Sequence, residues 1–249
     1  MISFSPKGEG LIGERIRMSN VTTTIKDGAA IIAMDDGKAN ALGAQMWVDL
    51  NVALDEAEAA DAIVVLTGRE GMMSGGFDLK EMGSGPQDAL ELTSKGSKFA
   101  RRLMAFPRPV IMAAPGHTIA MGAFLALACD YSMIKDGDFK VGLNETLIGM
   151  TMHNFGIEMG RYHLSKAYFN RCVINGEIFS PKGAMHAGYF DRVVPAEQWP
   201  MAIPMAAQMF GQVNPKAFRE TKLRSRKEIF AILDQAIEDD LDPAKVHAM

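Results

Sequence analysis

Glu145 is the residue of this chain whose setting best suits proton transfer. It stands in the run Gly142-Leu-Asn-Glu145 and precedes the apolar pair Leu147-Ile148. A carboxyl group in apolar surroundings has a raised pKa, which suits a base that later returns its proton. Taken alone, the pattern is more typical of a solvated acid in a loop.

Two glycine-containing segments could present backbone N–H groups to a developing oxyanion. The run Ser74-Gly-Gly-Phe-Asp78 follows an apolar stretch, and its glycines permit a close approach of backbone to ligand. Residues 116–122 form a turn before an apolar helix, whose free N-terminal N–H groups suit negative charge. Both segments are also ordinary strand-to-helix turns, so neither indicates a function by itself.

Composition excludes several classes of protein. The 249 residues are 48% hydrophobic and 22% charged, which is typical of a soluble globular chain, and the net charge of −4 argues against nucleic-acid binding. Cys129 and Cys172 fit no metal or redox spacing, so no metal site is predicted. The N-terminus lacks a signal-peptide pattern, and no apolar run approaches the ~20 residues that cross a bilayer. We therefore expect a cytoplasmic protein with no membrane partner.

Strand and helix patterns alternate from about residue 40 onward. Residues 21–35 contain two β-prone stretches around Lys26-Asp27-Gly28, which predicts a hairpin, and Ser180-Pro181 predicts a helix start. The other patterns predict strands at residues 62–66, 110–114, 132–141 and 193–195, and helices at residues 42–59, 90–104, from 121, 164–169, 181–187, 199–213 and 215–240. This alternation favours an α/β fold with parallel strands and crossover helices. His117 and His153 are interpreted as ordinary polar or packing residues.

Five segments, taken in order, resemble the crotonase (enoyl-CoA hydratase/isomerase) superfamily over roughly residues 20–235. They are Asn40-Ala-Leu42 within residues 35–42, the run Ser74-Gly-Gly-Phe-Asp-Leu79, and residues 114–130, 142–149 and 184–194. No single motif is decisive, and the argument rests on their order and spacing.

The resemblance implies an α/β fold of the crotonase type, a spiral of ββα turns with a C-terminal helical trimerisation region. We expect an N-terminal arm at residues 1–20, a spiral core with an acyl-CoA site at residues 21–195, and the helical region at residues 196–249. The implied substrate is an acyl-CoA thioester, with no cofactor beyond its coenzyme A. The implied assembly is a homotrimer or homohexamer.

The resemblance also implies an oxyanion hole made of two backbone N–H groups, which fall here at Phe77 and Met121. The family usually has glycine at the second position, so Met121 is a departure that could narrow the acyl pocket or tilt the peptide. The expected substrate-binding residues are Gly76, Lys80, Gly122 and Phe124. Lys80 is expected near the phosphates of coenzyme A. A second basic candidate, more typical of a solvated helix face, is the cluster Lys222, Arg224, Arg226 and Lys227.

The family's hydratases carry two glutamates, and here Phe124 stands at the first position while Glu145 stands at the second. The run 142–149 resembles the mitochondrial Δ3,Δ2-enoyl-CoA isomerases, which also lack the first glutamate. This implies an isomerase that moves a 3-enoyl double bond to the 2-position with Glu145 as the catalytic residue. The alternatives are an enoyl-CoA hydratase or other crotonase-type enzyme, and a non-catalytic acyl-CoA binder.

Overall fold

The computed structural model describes residues 14–242, and its core is a stack of ββα turns. In successive turns, one strand enters a seven-stranded sheet and the next strand enters a three-stranded sheet. The strands in this range are β1 (Glu14–Arg17), β2 (Val21–Lys26), β3 (Ala29–Met34), β4 (Ile63–Thr67), β5 (Gly71–Ser74), β6 (Val110–Ala114), β7 (Gly116–Ile119), β8 (Tyr131–Lys135), β9 (Val141–Gly142) and β10 (Arg192–Val194).

The strand order and mostly parallel pairing of the two sheets are those of an α/β protein. The large sheet has the order β1-β2-β3-β4-β6-β8-β10, antiparallel from β1 to β3 and parallel from β3 onward. The small sheet has the order β5-β7-β9 and is parallel. Parallel neighbours require crossover connections, which the helices supply.

The helices cover the sheets and the edge of the spiral. They are α1 (Ala44–Ala59), α2 (Leu79–Met82), α3 (Pro86–Ala105), α4 (Met121–Ala128), α5 (Asn154–His163), α6 (Pro181–Ala187), α7 (Trp199–Gly211), α8 (Pro215–Ser225) and α9 (Lys227–Leu241). A 3₁₀ turn spans Thr146–Ile148, and a π-helical turn spans Asn170–Ile174. No helix within residues 14–242 combines the length and apolar character that crossing a membrane requires.

The central strands β4 and β6 of the large sheet are buried on both faces, as their continuous apolar runs predict. On β4, Val64 and Leu66 point into the main core, whereas Ile63 and Val65 belong to a second cluster beneath α7. The hairpin is confirmed, since Asp27 and Gly28 both have positive φ, the geometry of a tight two-residue turn.

Three local predictions are wrong. Residues 14–17, assigned to an irregular arm, form β1 and pair with β2, while residues 1–13 of that arm lie outside the described part. Residues 132–141 form no single strand, because β8 ends at Lys135 and β9 begins in the other sheet at Val141. The helix predicted over residues 215–240 is two helices that break at Arg226.

A fourth error concerns residues 164–169, which are a turn rather than a helix. The helix there is α5, which ends before Leu164, where the backbone becomes extended. Its start depends on a distant residue, because the Asp240 carboxylate accepts hydrogen bonds from the N–H groups of Asn154 (2.7 Å) and Phe155 (2.9 Å). Such a carboxylate satisfies free N–H groups at a helix start. The local sequence around residue 154 contains no equivalent signal.

Candidate active site

The N–H of Phe77 points away from the neighbouring segment around Leu42. Leu42 N–H donates to the carbonyl of Gly76 (2.8 Å), and Asp78 N–H donates to the carbonyl of Leu42 (3.5 Å). In a parallel bridge of this kind, the residue between the two bonded neighbours directs its own N–H to the opposite side. Among the described residues the Phe77 N–H therefore has no backbone acceptor. It is free to bind a ligand.

Asn40 holds this segment in place. The residue is buried, and its side-chain amide donates to the carbonyl oxygens of Met34 (3.0 Å) and Met73 (3.1 Å). Ser74 Oγ donates to the Asn40 carbonyl (2.8 Å) and accepts from Gly76 N–H (3.1 Å). The Asn40 motif is therefore a support for the Phe77 turn rather than a contact for substrate.

The second amide lies at the start of α4. Ala120, just before the helix, has φ +52° and ψ −124°, a conformation that is strained for a residue other than glycine. Ala120 N–H donates to the Gly142 carbonyl (2.8 Å), which ties this turn to the strand before Glu145. Met121 N–H opens the helix and, within residues 14–242, has no acceptor of its own.

The backbone segments that carry the Phe77 and Met121 amides lie close together at Gly76. A Cβ built on Gly76 would lie 2.7 Å from Ala120 Cβ and 3.5 Å from the Met121 nitrogen. Gly76 itself has φ +95°, so any side chain here would be both strained and in collision. The backbone on the N-terminal side of Phe77 therefore lies directly against the turn that carries the Met121 N–H.

The side chains of these two residues point elsewhere. A Cβ on Gly96 of α3 would lie 2.8 Å from the Phe77 ring and 3.2 Å from Met121 Sδ, so both pack against this glycine. Met121 is fully buried in the core. The departure from glycine at Met121 therefore fills space between α3 and α4 and does not place its side chain on the cavity wall.

Glu145 is nearly buried, with 6% of its surface exposed. It precedes the 3₁₀ turn, and its carbonyl accepts from the N–H groups of Ile148 (3.1 Å) and Met150 (2.9 Å). The carboxylate oxygen Oε2 has no hydrogen-bond partner among residues 14–242, and burial raises the pKa of Glu145 to about 7. The side chain is therefore poised to take up and release a proton near neutral pH.

A small cavity of about 120 Å³ joins these parts. Its walls carry Phe77, Ala120 and Glu145. The other lining residues are polar and apolar neighbours of Phe77 and Glu145 in the chain and one residue of α3, namely Gly75, Leu79, Met82, Asn144, Ile148, Met150, Thr151, His153 and Thr93. Among the described lining residues, Glu145 is the one carboxylate. The cavity therefore brings one buried carboxyl group to the same wall as Phe77 and Ala120.

The other predicted residues surround this cavity without lining it. Gly122 packs against Ser74, because a Cβ added at Gly122 would lie only 2.8 Å from the Cβ of Ser74. Phe124 is fully buried, and its ring stands edge-on to the His153 imidazole at 5.5 Å. Lys80 is exposed on α2, a helix whose Leu79 contributes to the wall.

His153 is the site residue that sequence reasoning missed. It was interpreted as an ordinary polar or packing residue, yet it lines the same cavity as Glu145, and its Nε2 has no hydrogen-bond partner in the described part of the chain. The available signal was weak: a polar residue within a mostly apolar segment that begins at Glu145.

The basic cluster of residues 222–227 is divided between two cations that pair with a buried carboxylate and two that are exposed. Lys222 is buried and donates to Asp130 (2.6 Å), and Arg226 pairs with the same carboxylate (3.0 Å). Arg224 and Lys227 are exposed. The two inward-pointing cations attach the C-terminal helices to the end of α4.

Comparison with known proteins identifies the family. The model of the enoyl-CoA hydratase/isomerase family matches residues 24–242. A Pseudomonas syringae protein of that family has a solved structure with a TM-score of 0.87 at 46% identity, which covers 89% of this chain and 96% of that chain. The chain belongs to the enoyl-CoA hydratase/isomerase family, and its ββα spiral is the crotonase fold.

Curated relatives carry both activities in their names. Mouse mitochondrial enoyl-CoA delta isomerase 1 is 30% identical over 69% of this chain and 61% of its own length. A probable enoyl-CoA hydratase of Bacillus subtilis is 27% identical over 69% of this chain and 67% of its own length. The match thus spans about three fifths of the mouse protein. Similarity at this level does not separate isomerase from hydratase, so the choice depends on the geometry of the site.

Proposed function

We propose that this protein is an enoyl-CoA isomerase that converts a 3-enoyl thioester to the 2-enoyl thioester. The observation that carries the proposal is the cavity wall, where Glu145 is the single carboxylate among the described lining residues and shares the wall with Phe77 and Ala120. Moving a double bond needs one group that removes and returns a proton. Adding water needs a further polar group to hold the water, and Phe124 occupies the position of the family's other glutamate.

The reaction follows from these groups. Ionised Glu145 takes a proton from C2, and the electrons of that C–H bond move toward the thioester, whose oxygen becomes an enolate. The N–H groups of Phe77 and Met121 donate to this oxygen, and one such donor contributes about 3–4 kcal/mol to lowering the barrier. The protonated carboxyl then gives its proton to C4, which leaves the double bond between C2 and C3. The carboxylate is restored, so no other acid or base is consumed.

A pKa near 7 suits this double role. At neutral pH a large fraction of Glu145 is ionised and can act as the base, and the acid it becomes is strong enough to protonate carbon. A fully solvated glutamate would be ionised but a weaker base. Burial without a partner therefore tunes one side chain for both steps.

Substrate, assembly and location extend the same proposal. An acyl-CoA thioester is the proposed substrate, and exposed Lys80 on the helix beside the cavity is the proposed contact for its phosphates. The proposed assembly is a homotrimer or homohexamer, for which the measured mass in solution is the test. We also propose a cytoplasmic location, for which fractionation of cells that express the protein is the test.

The experiment compares Glu145→Gln with Glu197→Gln, a matched change at an exposed glutamate. With a 3-enoyl-CoA substrate, Glu145→Gln should lower kcat by about 10²–10⁴-fold, the usual contribution of a general acid–base group. Glu197→Gln should keep the wild-type rate. Wild-type turnover by Glu145→Gln would refute the assignment, and acyl-CoA binding without any turnover by the wild-type protein would indicate a non-catalytic binder.

A further inference from the structure

The cavity beside Glu145 is small for an acyl chain. Its volume is about 120 Å³. A dry protein cavity of about 150 Å³ holds one benzene molecule, so about five carbon-sized atoms fit in this cavity. The reacting part of a 3-enoyl thioester, C1 to C4 with the thioester oxygen, fills that space. Little of the cavity therefore remains for the rest of the chain.

One wall of the cavity is closed by tight packing against α3. Thr93 lines the cavity, and Gly96 lies about one turn further along the same face of this helix. A Cβ added at Gly96 would lie 2.8 Å from the tip of the Phe77 ring and 3.2 Å from Met121 Sδ. The space in front of Gly96 is therefore filled by these two side chains and does not accept even a methyl group.

The Phe77 ring is held where it stands. Trp47 lies edge-on to it, with 6.4 Å between the ring centroids, and both Trp47 and Met121 are buried. Protein interiors are close-packed, so a ring in such contacts moves only if a neighbour gives way. Met121 reaches the same glycine as the ring and thereby blocks its retreat along α3.

The wall that carries His153 is also full. A Cβ added at Gly156 would lie only 2.7–2.9 Å from atoms of three side chains. These side chains belong to Met152, Phe124 and His153. His153 Nε2 has no hydrogen-bond partner within residues 14–242, so an apolar chain laid against it would leave a polar atom unpaired. The apolar route for an acyl chain is therefore the one toward Phe77 and Thr93.

We propose that the site is specific for short 3-enoyl thioesters, with acyl chains of about four to six carbons, and that Met121 sets this limit by holding the Phe77 ring in place. The inference rests on the proposed isomerase function, which places the thioester oxygen at the N–H groups of these two residues. From that position, carbons beyond C4 soon meet the filled space in front of Gly96.

A longer chain has one remaining direction, across the rim of the cavity. Leu79 and Ile148 line the cavity there and are 65% and 49% exposed. Carbons that lie on this rim stay largely in water, so they gain little from burial. Long chains are therefore bound less productively than short ones.

The experiment measures kcat/KM for 3-hexenoyl-CoA and 3-decenoyl-CoA. Wild-type protein should favour the shorter substrate by at least about tenfold, a discrimination that a single methylene can reach in a closed apolar pocket. Met121→Ala frees space behind the Phe77 ring, so the ratio should shift toward 3-decenoyl-CoA. Met121→Leu keeps the side-chain volume and should keep the wild-type ratio.

Two further variants sharpen the test. Gly96→Ala adds the methyl that would collide with the Phe77 ring, so it should shift the ratio further toward 3-hexenoyl-CoA. Met112→Ala is the matched control, since Met112 is a fully buried methionine of β6 that does not line the cavity. It should leave the ratio unchanged. Equal kcat/KM for the two substrates in wild-type protein, or the wild-type ratio in both Met121→Ala and Gly96→Ala, would overturn the inference.

Binding separates this inference from the proposed isomerase. Calorimetry with hexanoyl-CoA and decanoyl-CoA probes the cavity without chemistry, and hexanoyl-CoA should bind more tightly. If the protein isomerises both chain lengths equally well, the limit on chain length is wrong and the isomerase stands. If it isomerises neither but binds hexanoyl-CoA more tightly, the isomerase is wrong and the limit on chain length is supported.

Discussion

Asp130 and Glu145 are both buried carboxylates, but their surroundings are opposite. The Asp130 side chain is 7% exposed and accepts from Val110 N–H (2.8 Å) while pairing with Lys222 (2.6 Å) and Arg226 (3.0 Å). Glu145 is 6% exposed, and its Oε2 has no hydrogen-bond partner among the residues that the structure describes. One carboxylate is fully compensated, and the other is not.

The difference shows how burial serves two purposes in one chain. A buried charge with partners holds two segments together, and here Asp130 joins the end of α4 to the helices on either side of Arg226. A buried acid without partners is driven toward its neutral form, which raises the pKa of Glu145. Asp130 therefore stabilises the fold, whereas ionised Glu145 weakens it, as the proposed proton carrier would.

The largest effect on stability is expected from Asp130→Asn. The change leaves Lys222 and Arg226 buried without a carboxylate, which should lower the free energy of unfolding by about 3–5 kcal/mol. Burial already lowers the pKa of Lys222, so loss of its proton limits the damage. Urea denaturation measures the loss, and isomerisation per folded molecule should be unchanged.

A surface ion pair provides the control for that variant. Asp234 pairs with Arg101 at 2.8 Å but is 56% exposed, so Asp234→Asn should cost less than about 1 kcal/mol. Equal losses in Asp130→Asn and Asp234→Asn would contradict the structural role assigned to the buried pair.

Glu145→Gln should raise the free energy of unfolding, by an amount that increases with pH. The folded pKa of about 7 lies above the unfolded value of 4.5, so the folded state binds the proton more tightly and loses stability as pH rises between these values. Glutamine has no charge to bury. The variant should match the wild type near pH 4.5 and exceed it by up to about 3 kcal/mol at pH 8.

Urea denaturation at several pH values measures this difference. A Glu145→Gln variant that is no more stable than the wild type at pH 8 would mean that the carboxylate has a partner in solution. Glu145 would then resemble Asp130, a buried carboxylate whose charge is compensated by partners.

The smallest expected effect is on the pH dependence of kcat/KM in the wild-type enzyme. With ionised Glu145 as the proposed base, kcat/KM for a 3-enoyl-CoA should rise about tenfold per pH unit below pH 7 and level off above it. Steady-state assays from pH 5.5 to 8.5 measure the midpoint. A profile that is flat over this range would indicate a glutamate with an ordinary pKa.

Sequence patterns correctly predicted the turns and helices that are determined by their own residues. The turn at Asp27-Gly28 and the capped helix after Ser180, whose Oγ accepts from Gly183 N–H, were both correct. Elements that depend on distant partners were missed. Helix α5 begins where Asp240 reaches it across 85 residues of sequence, and the break at Arg226 coincides with its bonds to Met104 and Asp130.

The same distinction applies to the site. Glu145 alone resembled a surface acid, and only the ordered family motifs indicated its role, because burial depends on how residues 142–153 fold over the cavity. His153 and the strained Ala120 could not be predicted at all. Nothing in the local pattern shows that an imidazole will stand beside Phe124 or that a non-glycine residue will adopt positive φ.

The most direct test of the central claim is a titration of the Glu145 carboxyl itself. With ¹³C-labelled glutamate side chains, the signal present in wild-type protein and absent from Glu145→Gln belongs to this residue. We predict that it titrates with a midpoint near pH 7, as burial without a partner requires. A midpoint near 4.5 would show that the carboxylate is solvated or paired, and would contradict the account of Glu145 as the proton carrier.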